Sequence, residues 1–255
     1  MARPVPAPPR AASRPRRLTP VRTEWVTLDV ADGSRMRAFV ARPPAGERRP
    51  GLLLFQEAFG VNPHIRDVAT RFARAGYTTI APELFHRTAP PGFEGAYGDF
   101  PSIERHFHGV TVDGLEADTA AAHKWLTADP EVDHDRVAAV GFCMGGRVSY
   151  VAATFLPLRA AVSFYGARIA PALLDRAPNA QGRLLFFWGG QDQSIPTEQQ
   201  RAVVDALRAA GKTYVTVEFG AAGHAFFCDA RPNYHPTAAA EAWALTLAFL
   251  KDALD

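Results

Sequence analysis

The sequence predicts an α/β protein, a mainly parallel sheet of about eight strands with helices on both faces. Short apolar runs, typical of strands covered on both sides, recur along the chain. Helical patterns separate most of these runs, as expected when successive strands are parallel. A mononucleotide-binding fold shares this alternation, but the sequence contains no G-x-G-x-x-G or phosphate-binding loop.

Length and composition fit one folded domain. The chain has 255 residues, of which 47% are hydrophobic and 21% charged. Residues 1–22 are rich in Pro, Ala and Arg and predict a disordered tail, with docking to an acidic partner as the alternative. Residues 23–255 form the predicted domain. They are close to neutral, so no nucleic-acid partner is expected.

The two cysteines, Cys143 and Cys228, could form one disulfide at most, which favours a reducing compartment. No apolar run is long enough to span a membrane. The N-terminus lacks the apolar core of a secretory signal. These features predict a cytoplasmic protein that does not bind membranes.

The first half of the domain opens with an antiparallel hairpin at the sheet edge. Residues 24–30 and 36–40 alternate in polarity around the Asp32-Gly33 turn. A loop over residues 43–50 leads to a buried strand at 51–55, a helix at 63–75 and a strand at 77–81.

Residues 87–109 show no clear period and predict a lid or binding loop, although their aromatics could simply pack it onto the body. His86, His106 and His108 lack the spacing of metal ligands, so no metal site is expected.

The second half repeats the strand and helix pattern. Helices are predicted at residues 112–128, 148–155, 197–210 and 237–254, with a short surface helix at 170–177. Strands are predicted at 137–140, 160–166, 184–188 and 214–219. Thr197 is the predicted cap of its helix, and the last helix should direct Trp243, Leu247 and Leu250 inward.

A Gly-x-Cys-x-Gly segment joins the strand at 137–140 to the following helix. This is the layout of a nucleophile elbow, in which a tight turn lifts Cys143 clear of the backbone. Gly141 and Gly145 leave the room that this turn needs. The helix N-terminus would stabilise a thiolate. The alternative is an inert buried cysteine, which is common in protein cores.

Asp192 and His224 decide between these alternatives. Cys143, Asp192 and His224 each follow a predicted strand, in the chain order nucleophile, acid, histidine that α/β-hydrolases show. His224 would accept the thiol proton and later protonate the leaving group, while Asp192 orients the ring. The N–H groups of Met144 and Ala58 are the predicted oxyanion donors.

Glu57 directly follows the buried strand at 51–55, where a carboxylate is costly to bury unless it has a partner or a task. It could cap the helix at 63–75, or it could belong to a site at the carboxyl ends of the strands.

These segments resemble the dienelactone hydrolase (carboxymethylenebutenolidase) family across residues 24–252. Residues 56–62 are similar to the family's Q-E-x-F-G-V-N, residues 141–146 to its G-[YF]-C-x-G-G, and residues 189–192 and 223–224 to its acid and histidine segments. The resemblance implies an α/β-hydrolase fold without a large cap, no cofactor, and hydrolysis of a small ester or lactone through a thioester. We expect a monomer or homodimer. The resemblance also implies that Glu57 lies against the resting thiol and accepts its proton when substrate binds.

The sequence departs from the family at the substrate carboxylate. The family's arginine four residues after the histidine is Cys228 here, so dienelactone itself is in doubt. Arg105 is a candidate for a second family arginine, and Phe59 and Phe226 are further candidates for substrate binding. Cys228 is interpreted as a structural thiol, with a second nucleophile as the alternative.

Two other functions are considered. A non-catalytic relative would bind a small ligand or a protein partner without turnover, but the intact triad argues against it. Amide or peptide hydrolysis would usually need a large groove, and no sequence feature indicates one.

Overall fold

The computed structural model describes residues 20–255, so the predicted tail at 1–22 lies outside the described residues except for its last three positions. The described chain forms one eight-stranded sheet with these strands in chain order: β1 (Arg22–Asp29), β2 (Arg35–Arg42), β3 (Arg49–Phe55), β4 (Thr78–Pro82), β5 (Val132–Phe142), β6 (Ala160–Phe164), β7 (Arg183–Gly189) and β8 (Tyr214–Phe219). Their spatial order is β1-β2-β4-β3-β5-β6-β7-β8. The β1–β2 and β2–β4 pairs are antiparallel and the other pairs are parallel, which confirms the predicted sheet.

Six α-helices connect the strands of the described region: α1 (Pro63–Arg74), α2 (Phe100–His108), α3 (Val112–Ala128), α4 (Met144–Ala153), α5 (Thr197–Ala209) and α6 (Pro236–Leu254). The path from β3 to β4 and the path from β5 to β6 run in opposite directions across the sheet. Because parallel crossovers are right-handed, α1 and α4 therefore lie on opposite faces. On its face α1 packs against α6, where the rings of Phe72 and Trp243 are 4.6 Å apart.

The order of the strands reverses between β3 and β5. The two strands pair in parallel, with Phe55 opposite Gly141 at their carboxyl ends. The loops that follow them lead to helices on opposite faces, and such a reversal of strand order is the usual place for a site in an open α/β sheet. Glu57 and Cys143 lie in these two loops.

The central strands are buried as their apolar runs predict. The four residues from Leu52 to Phe55 have no exposed surface, and Ala138 to Val140 are buried beside them. A fully buried Leu or Phe side chain stabilises the fold by roughly 1.5–3 kcal/mol relative to an exposed one. These buried strands thus support the two loops that carry Glu57 and Cys143.

The prediction of an irregular segment at 87–109 is partly wrong, because this segment contains α2. Asp99 caps this helix by accepting a hydrogen bond from the Ser102 N–H at 3.3 Å. Ile103 and Phe107, four residues apart, are both buried on one side of α2. The helix has nine residues and three buried positions, Ile103, His106 and Phe107, which is too short a pattern to be recognised by its periodicity.

Two predicted caps are also wrong. Asn62, and not Glu57, caps α1, since its Oδ1 accepts a hydrogen bond from the Ile65 N–H at 3.2 Å. Pro196 precedes α5 and no side chain caps that helix, so Thr197 has no capping role. Glu57 is therefore buried for another reason.

The short segment after β6 is a 3-10 helix at Leu174–Asn179, displaced from the predicted 170–177. Pro178 lies inside it and interrupts regular α-helical hydrogen bonding. The last helix directs Leu250 into the core as predicted, whereas Trp243 and Leu247 are partly buried.

Candidate active site

Cys143 occupies a sharp turn between β5 and α4. Its backbone has φ +55° and ψ −115°, in the left-handed half of the map where a side chain is strained. A Cβ on Gly141 would lie 1.8 Å from the Gly145 carbonyl oxygen, and a Cβ on Gly145 would lie 2.2 Å from that of Phe55. Both positions therefore require glycine, and the turn has the geometry of a nucleophile elbow.

This requirement predicts a large stability effect at the elbow. Replacing Gly141 with alanine should lower the free energy of unfolding by about 3 kcal/mol, because the clash is with backbone that cannot move aside. Urea unfolding monitored by tryptophan fluorescence measures the change. Gly46→Ala is the matched control: open space surrounds it, and its effect should stay within about 0.5 kcal/mol. Equal effects at the two glycines would contradict the packing argument.

Three side chains form a continuous hydrogen-bonded chain at the elbow. The Cys143 Sγ lies 3.1 Å from the His224 Nε2, and the His224 Nδ1 lies 2.8 Å from the Asp192 Oδ2. Asp192 is held in turn by its Oδ1, which accepts hydrogen bonds from the N–H groups of Ser194 at 2.8 Å and Ile195 at 3.1 Å. The structure thus brings together the three residues that the sequence selected.

The electrostatics favour a charged histidine. Burial disfavours the protonated ring, but the negative charge of Cys143 and the hydrogen bond to Asp192 outweigh burial and raise the pKa of His224 to about 10. A ring of this kind can accept a proton from a neighbouring group and later return it to a leaving group.

The two predicted oxyanion donors are unpaired in the described structure. The N–H groups of Met144 and Ala58 make no backbone or side-chain hydrogen bond among residues 20–255. Met144 opens α4, where the first N–H groups of a helix lack internal acceptors. The loop that carries Ala58 is pressed against α4, as the close approach of Gly145 to the Phe55 and Gln56 carbonyls shows. Both N–H groups therefore lack an acceptor in the described part of the chain.

Glu57 has no exposed surface and pairs with an arginine that the sequence analysis missed. Its Oε1 accepts a hydrogen bond from Arg231 at 3.3 Å, and its Oε2 is buried without a partner. The Arg231 guanidinium lies over the rings of Phe59 and Tyr97, at 5.3 and 5.7 Å from their centroids. The hydrogen bonds of residues 20–255 include none between Glu57 and Cys143, so a role of Glu57 toward the thiol stays a prediction.

Cys228 is buried beside this pair. Its thiol donates to the Tyr97 hydroxyl at 3.3 Å, and the Asn62 amide donates to the same oxygen at 2.8 Å. Burial, and then the charge of Glu57, raise the pKa of Cys228 to about 12. A thiol that stays protonated is a poor nucleophile, which favours the structural interpretation of Cys228.

Tyr165 is a second residue that the sequence analysis missed. It follows β6 with φ +37°, and its ring centroid lies 5.2 Å from that of His224. Its hydroxyl is fully buried and has no hydrogen-bond partner among the described residues. Burial and the charge of Glu57 raise its pKa well above the ordinary value, so the hydroxyl is a neutral donor next to the triad.

The predicted substrate-binding residues occupy different places. The ring of Phe59 packs against the Arg231 guanidinium beside Glu57. Phe226 has no exposed surface and packs against Tyr165 and Phe219, each at 5.2 Å, so it supports the site from within the core and is not open to substrate. Arg105 is exposed on α2 and makes no recorded contact with the triad. Its charge instead contributes, after burial, to lowering the pKa of His106.

Two of the three histidines that were considered as metal ligands have other side-chain partners. His86 bonds to Asp118 at 3.0 Å, and His106 bonds to Thr88 at 2.9 Å. Within residues 20–255, no cluster of three His, Cys, Asp or Glu side chains could hold a metal ion. In the same part of the chain, no helix combines the length and the apolar character that a membrane span requires.

Comparison with known proteins places this geometry in a family. A model of the "Dienelactone hydrolase family" matches residues 36–254. A "Putative carboxymethylenebutenolidase" of Salmonella typhimurium (strain LT2) is 36% identical over 228 residues, which cover 86% of this chain and 83% of that protein. A protein of the same name from Escherichia coli (strain K12) is 35% identical over 231 residues, covering 87% and 84%.

Solved structures show the same fold. The crystal structure of a "Putative Dienelactone Hydrolase" from Klebsiella pneumoniae superposes with a TM-score of 0.83 at 32% identity, covering 91% of this chain and 99% of that one. The dienelactone hydrolase-like phosphotriesterase P91, from metagenomic libraries, gives 0.79 at 27% identity with the same coverage. The fold is that of the α/β-hydrolases. The fold, the family match over residues 36–254 and the relatives above 30% identity all agree. The chain is a hydrolase that belongs to the dienelactone hydrolase family.

Proposed function

We propose that this protein is a cysteine-dependent hydrolase that cleaves an ester or lactone through a thioester intermediate. The observation that carries the proposal is the chain from the Cys143 sulfur through His224 to Asp192, with links of 3.1 and 2.8 Å. A relative from Bradyrhizobium, 28% identical over 89% of this chain, is named "Probable 2-oxo-3-(5-oxofuran-2-ylidene)propanoate lactonase". That name supports an ester or lactone as the substrate class.

The reaction follows from the residue types. The Cys143 thiolate attacks the ester carbonyl, and the resulting oxyanion accepts hydrogen bonds from the N–H groups of Met144 and Ala58. The carbon–oxygen bond of the ester breaks as His224 protonates the leaving oxygen, which leaves a thioester. His224 then takes a proton from water, the hydroxide attacks the thioester, and the acid product and the thiolate separate.

Glu57 supports this cycle as a second proton acceptor. Its buried Oε2 is unpaired, and Arg231 holds the carboxylate through Oε1. A carboxylate anchored on one side can turn its other oxygen toward the thiol without losing its counter-ion. We therefore assign to Glu57, as the family resemblance implies, a share in removing the thiol proton when substrate binds.

Trapping the thioester tests the proposal. With 4-nitrophenyl acetate, the enzyme should release a burst of nitrophenol equal to the enzyme concentration, because deacylation is the slower step for an activated ester. After acid quenching, mass spectrometry should locate the acetyl group on the peptide that contains Cys143 and not on the one with Cys228. A protein that binds esters and lactones with no burst and no turnover would be the non-catalytic relative, and the proposal would fail.

The pKa of His224 predicts the pH dependence. Leaving-group protonation needs the imidazolium, so kcat/KM should fall as pH rises through the folded pKa of about 10. In Asp192→Asn the hydrogen bond that raises this pKa is weakened, and the alkaline limb should move to lower pH. Profiles from pH 5 to 11 with a neutral alkyl ester, whose alkoxide must be protonated to leave, measure the alkaline limb of both enzymes. An alkaline limb that stays in place in Asp192→Asn contradicts the assignment.

A further inference from the structure

A cavity of about 330 Å³ lies between α5 and the strands at the β8 edge of the sheet. Trp188 and Glu218 are opposite each other in the β7–β8 pair, and Thr216 shares their face because alternate residues of a strand point the same way. The rest of the wall is one face of α5, whose contributing residues recur every three or four positions: Thr197, Gln200, Arg201, Val204, Asp205 and Arg208. The volume is at the lower end of the range for small-molecule sites.

Trp188 gives this cavity an apolar floor. Its ring is almost fully buried and stacks on Phe186, with centroids 5.6 Å apart and an angle of 10° between the planes. Its Nε1–H donates to the Thr216 hydroxyl at 3.0 Å, so the polar atom of the indole is already satisfied. Val204 lines the cavity on the side of α5. The floor therefore suits an aromatic or apolar group of a ligand.

Two opposite charges line the cavity without a partner. Arg201 and Glu218 are exposed, and neither takes part in an ion pair within residues 20–255. Asp205 and Arg208, the other charged residues of the wall, pair with each other at 2.6 Å. A simple anion would be attracted by Arg201 and repelled by Glu218, and a simple cation the reverse. A molecule that carries both charges is complementary to both residues.

The same wall holds the loop that carries Asp192. The Gln200 side chain is buried, and its Nε2 donates to the carbonyl oxygens of Gly189 at 3.2 Å and Ile195 at 2.9 Å, one at each end of that loop. The Asp192 N–H donates to the same Gly189 oxygen at 3.3 Å. Two carbonyl acceptors fix which end of the Gln200 amide is the NH₂ group. Its amide oxygen accepts no hydrogen bond among the described residues and lines the cavity side of the loop.

Glu218 also lies against this loop. A Cβ on Gly190 would be 3.0 Å from the Glu218 Oε1. An ammonium group held by Glu218 is therefore placed beside the backbone that positions Asp192. The cavity thus combines an apolar floor, two charges of opposite sign and a direct contact with the loop of the acid.

We propose that the cavity between α5 and β8 is a regulatory site that binds a small zwitterion of the amino-acid class with an aromatic or apolar side chain. The carboxylate of the ligand pairs with Arg201, and its ammonium group pairs with Glu218. Its side chain packs on Trp188.

The bound ligand acts on the triad through Gln200. Its ammonium group donates to the Gln200 amide oxygen, which strengthens the two hydrogen bonds that hold the Asp192 loop. A firmly held Asp192 keeps His224 in the orientation and tautomer that proton transfer needs. This regulatory role rests on the proposed function, whereas binding of the ligand does not.

Three probes with a common phenyl ring and short chain test the site: L-phenylalanine, 3-phenylpropanoate without the ammonium group, and 2-phenylethylamine without the carboxylate. In isothermal titration calorimetry with the full chain, L-phenylalanine should bind at least about tenfold more tightly than either analogue. Arg201→Ala should weaken L-phenylalanine binding by about tenfold without weakening 2-phenylethylamine. Glu218→Gln should do the same without weakening 3-phenylpropanoate. Arg48→Ala, at an exposed arginine before β3, is the control and should change none of the three affinities.

Two results would overturn the site. The first is equal affinity of the wild-type protein for the three probes, or no measurable binding of L-phenylalanine. The second is inhibition by L-phenylalanine that is competitive with 4-nitrophenyl acetate, because it would locate the probe at Cys143. Arg201 and Glu218 are exposed, so their variants should fold and keep the comparison informative.

Ester hydrolysis tests the regulatory role. Saturating L-phenylalanine should raise kcat/KM of the wild-type enzyme for 4-nitrophenyl acetate by roughly fivefold. The same concentration should leave the rate of Arg201→Ala unchanged, and Gln200→Leu should bind the probe without a rise in rate. Tight binding with an unchanged kcat/KM in the wild-type enzyme would overturn the regulatory role. A wild-type enzyme that does not hydrolyse the ester would instead refute the proposed function, while calorimetry still decides whether the site binds, so the two failures are distinguishable.

Discussion

Cys143→Ala should lower kcat/KM for 4-nitrophenyl acetate by at least about 10⁴-fold, because it removes the atom that forms the covalent intermediate. The side chain is small and partly exposed, so the variant should unfold at the same urea concentration as the wild type. His224→Ala should show a loss of similar size, since the thiol and the ring act as one unit. Initial rates under identical ester concentrations, corrected for the uncatalysed reaction, measure both.

The double variant provides a sharper test than either single one. If Cys143 and His224 act together, removing both should cost little more than removing one. His134→Ala is the matched control, because this histidine is exposed at the start of β5, far along the strand from the elbow. Losses that multiply in the double variant would show that Cys143 and His224 act independently. A Cys143→Ala enzyme with activity within tenfold of wild type would mean that another group attacks the ester.

Arg231→Met should lower the free energy of unfolding by about 3–5 kcal/mol, the usual cost of leaving one member of a buried ion pair without its partner. Glu57 has no exposed surface, and within residues 20–255 Arg231 is the sole hydrogen-bond partner of its carboxylate. Replacing both residues, as Arg231→Met with Glu57→Gln, removes the uncompensated charge and should restore most of the lost stability. Urea unfolding at pH 7 of all four proteins completes the cycle.

The surface pair formed by Arg208 and Asp205 is the control for this cycle. Its members are 2.6 Å apart but about two-thirds exposed, so Arg208→Met should cost less than about 1 kcal/mol. A loss at Arg231 no greater than at Arg208, or additive effects of the two substitutions in the buried pair, would show that Glu57 does not depend on Arg231.

The sheet was predictable because each buried strand is a short apolar run with a distinct end. The proximity of Cys143, Asp192 and His224 was predictable for a related reason: each follows a predicted strand and has a glycine close by in the sequence. Parallel strands place their carboxyl ends at one edge, so sequence order alone implies that these three meet.

Arg231 could not be predicted in the same way. It is 174 positions from Glu57, in an irregular loop where no period fixes the direction of a side chain. Its place three residues after Cys228 was the available signal, because a carboxylate buried at Glu57 needs a cation as its partner. Tyr165 was missed because its residue type suits the end of a strand, and neither its φ of +37° nor its unpaired hydroxyl is visible in the sequence.

The contrast between the two sulfurs has a practical consequence. Cys228 is fully buried, whereas Cys143 is partly open, so a mild alkylating reagent should modify the folded protein once, at the elbow. A fluorophore or cross-linker can then be installed at that position without removing the other cysteine. Once the Cys143 sulfur is blocked, modification of Cys228 reports that the loop after β8 has opened. The native protein therefore needs no added label site for measuring this local unfolding.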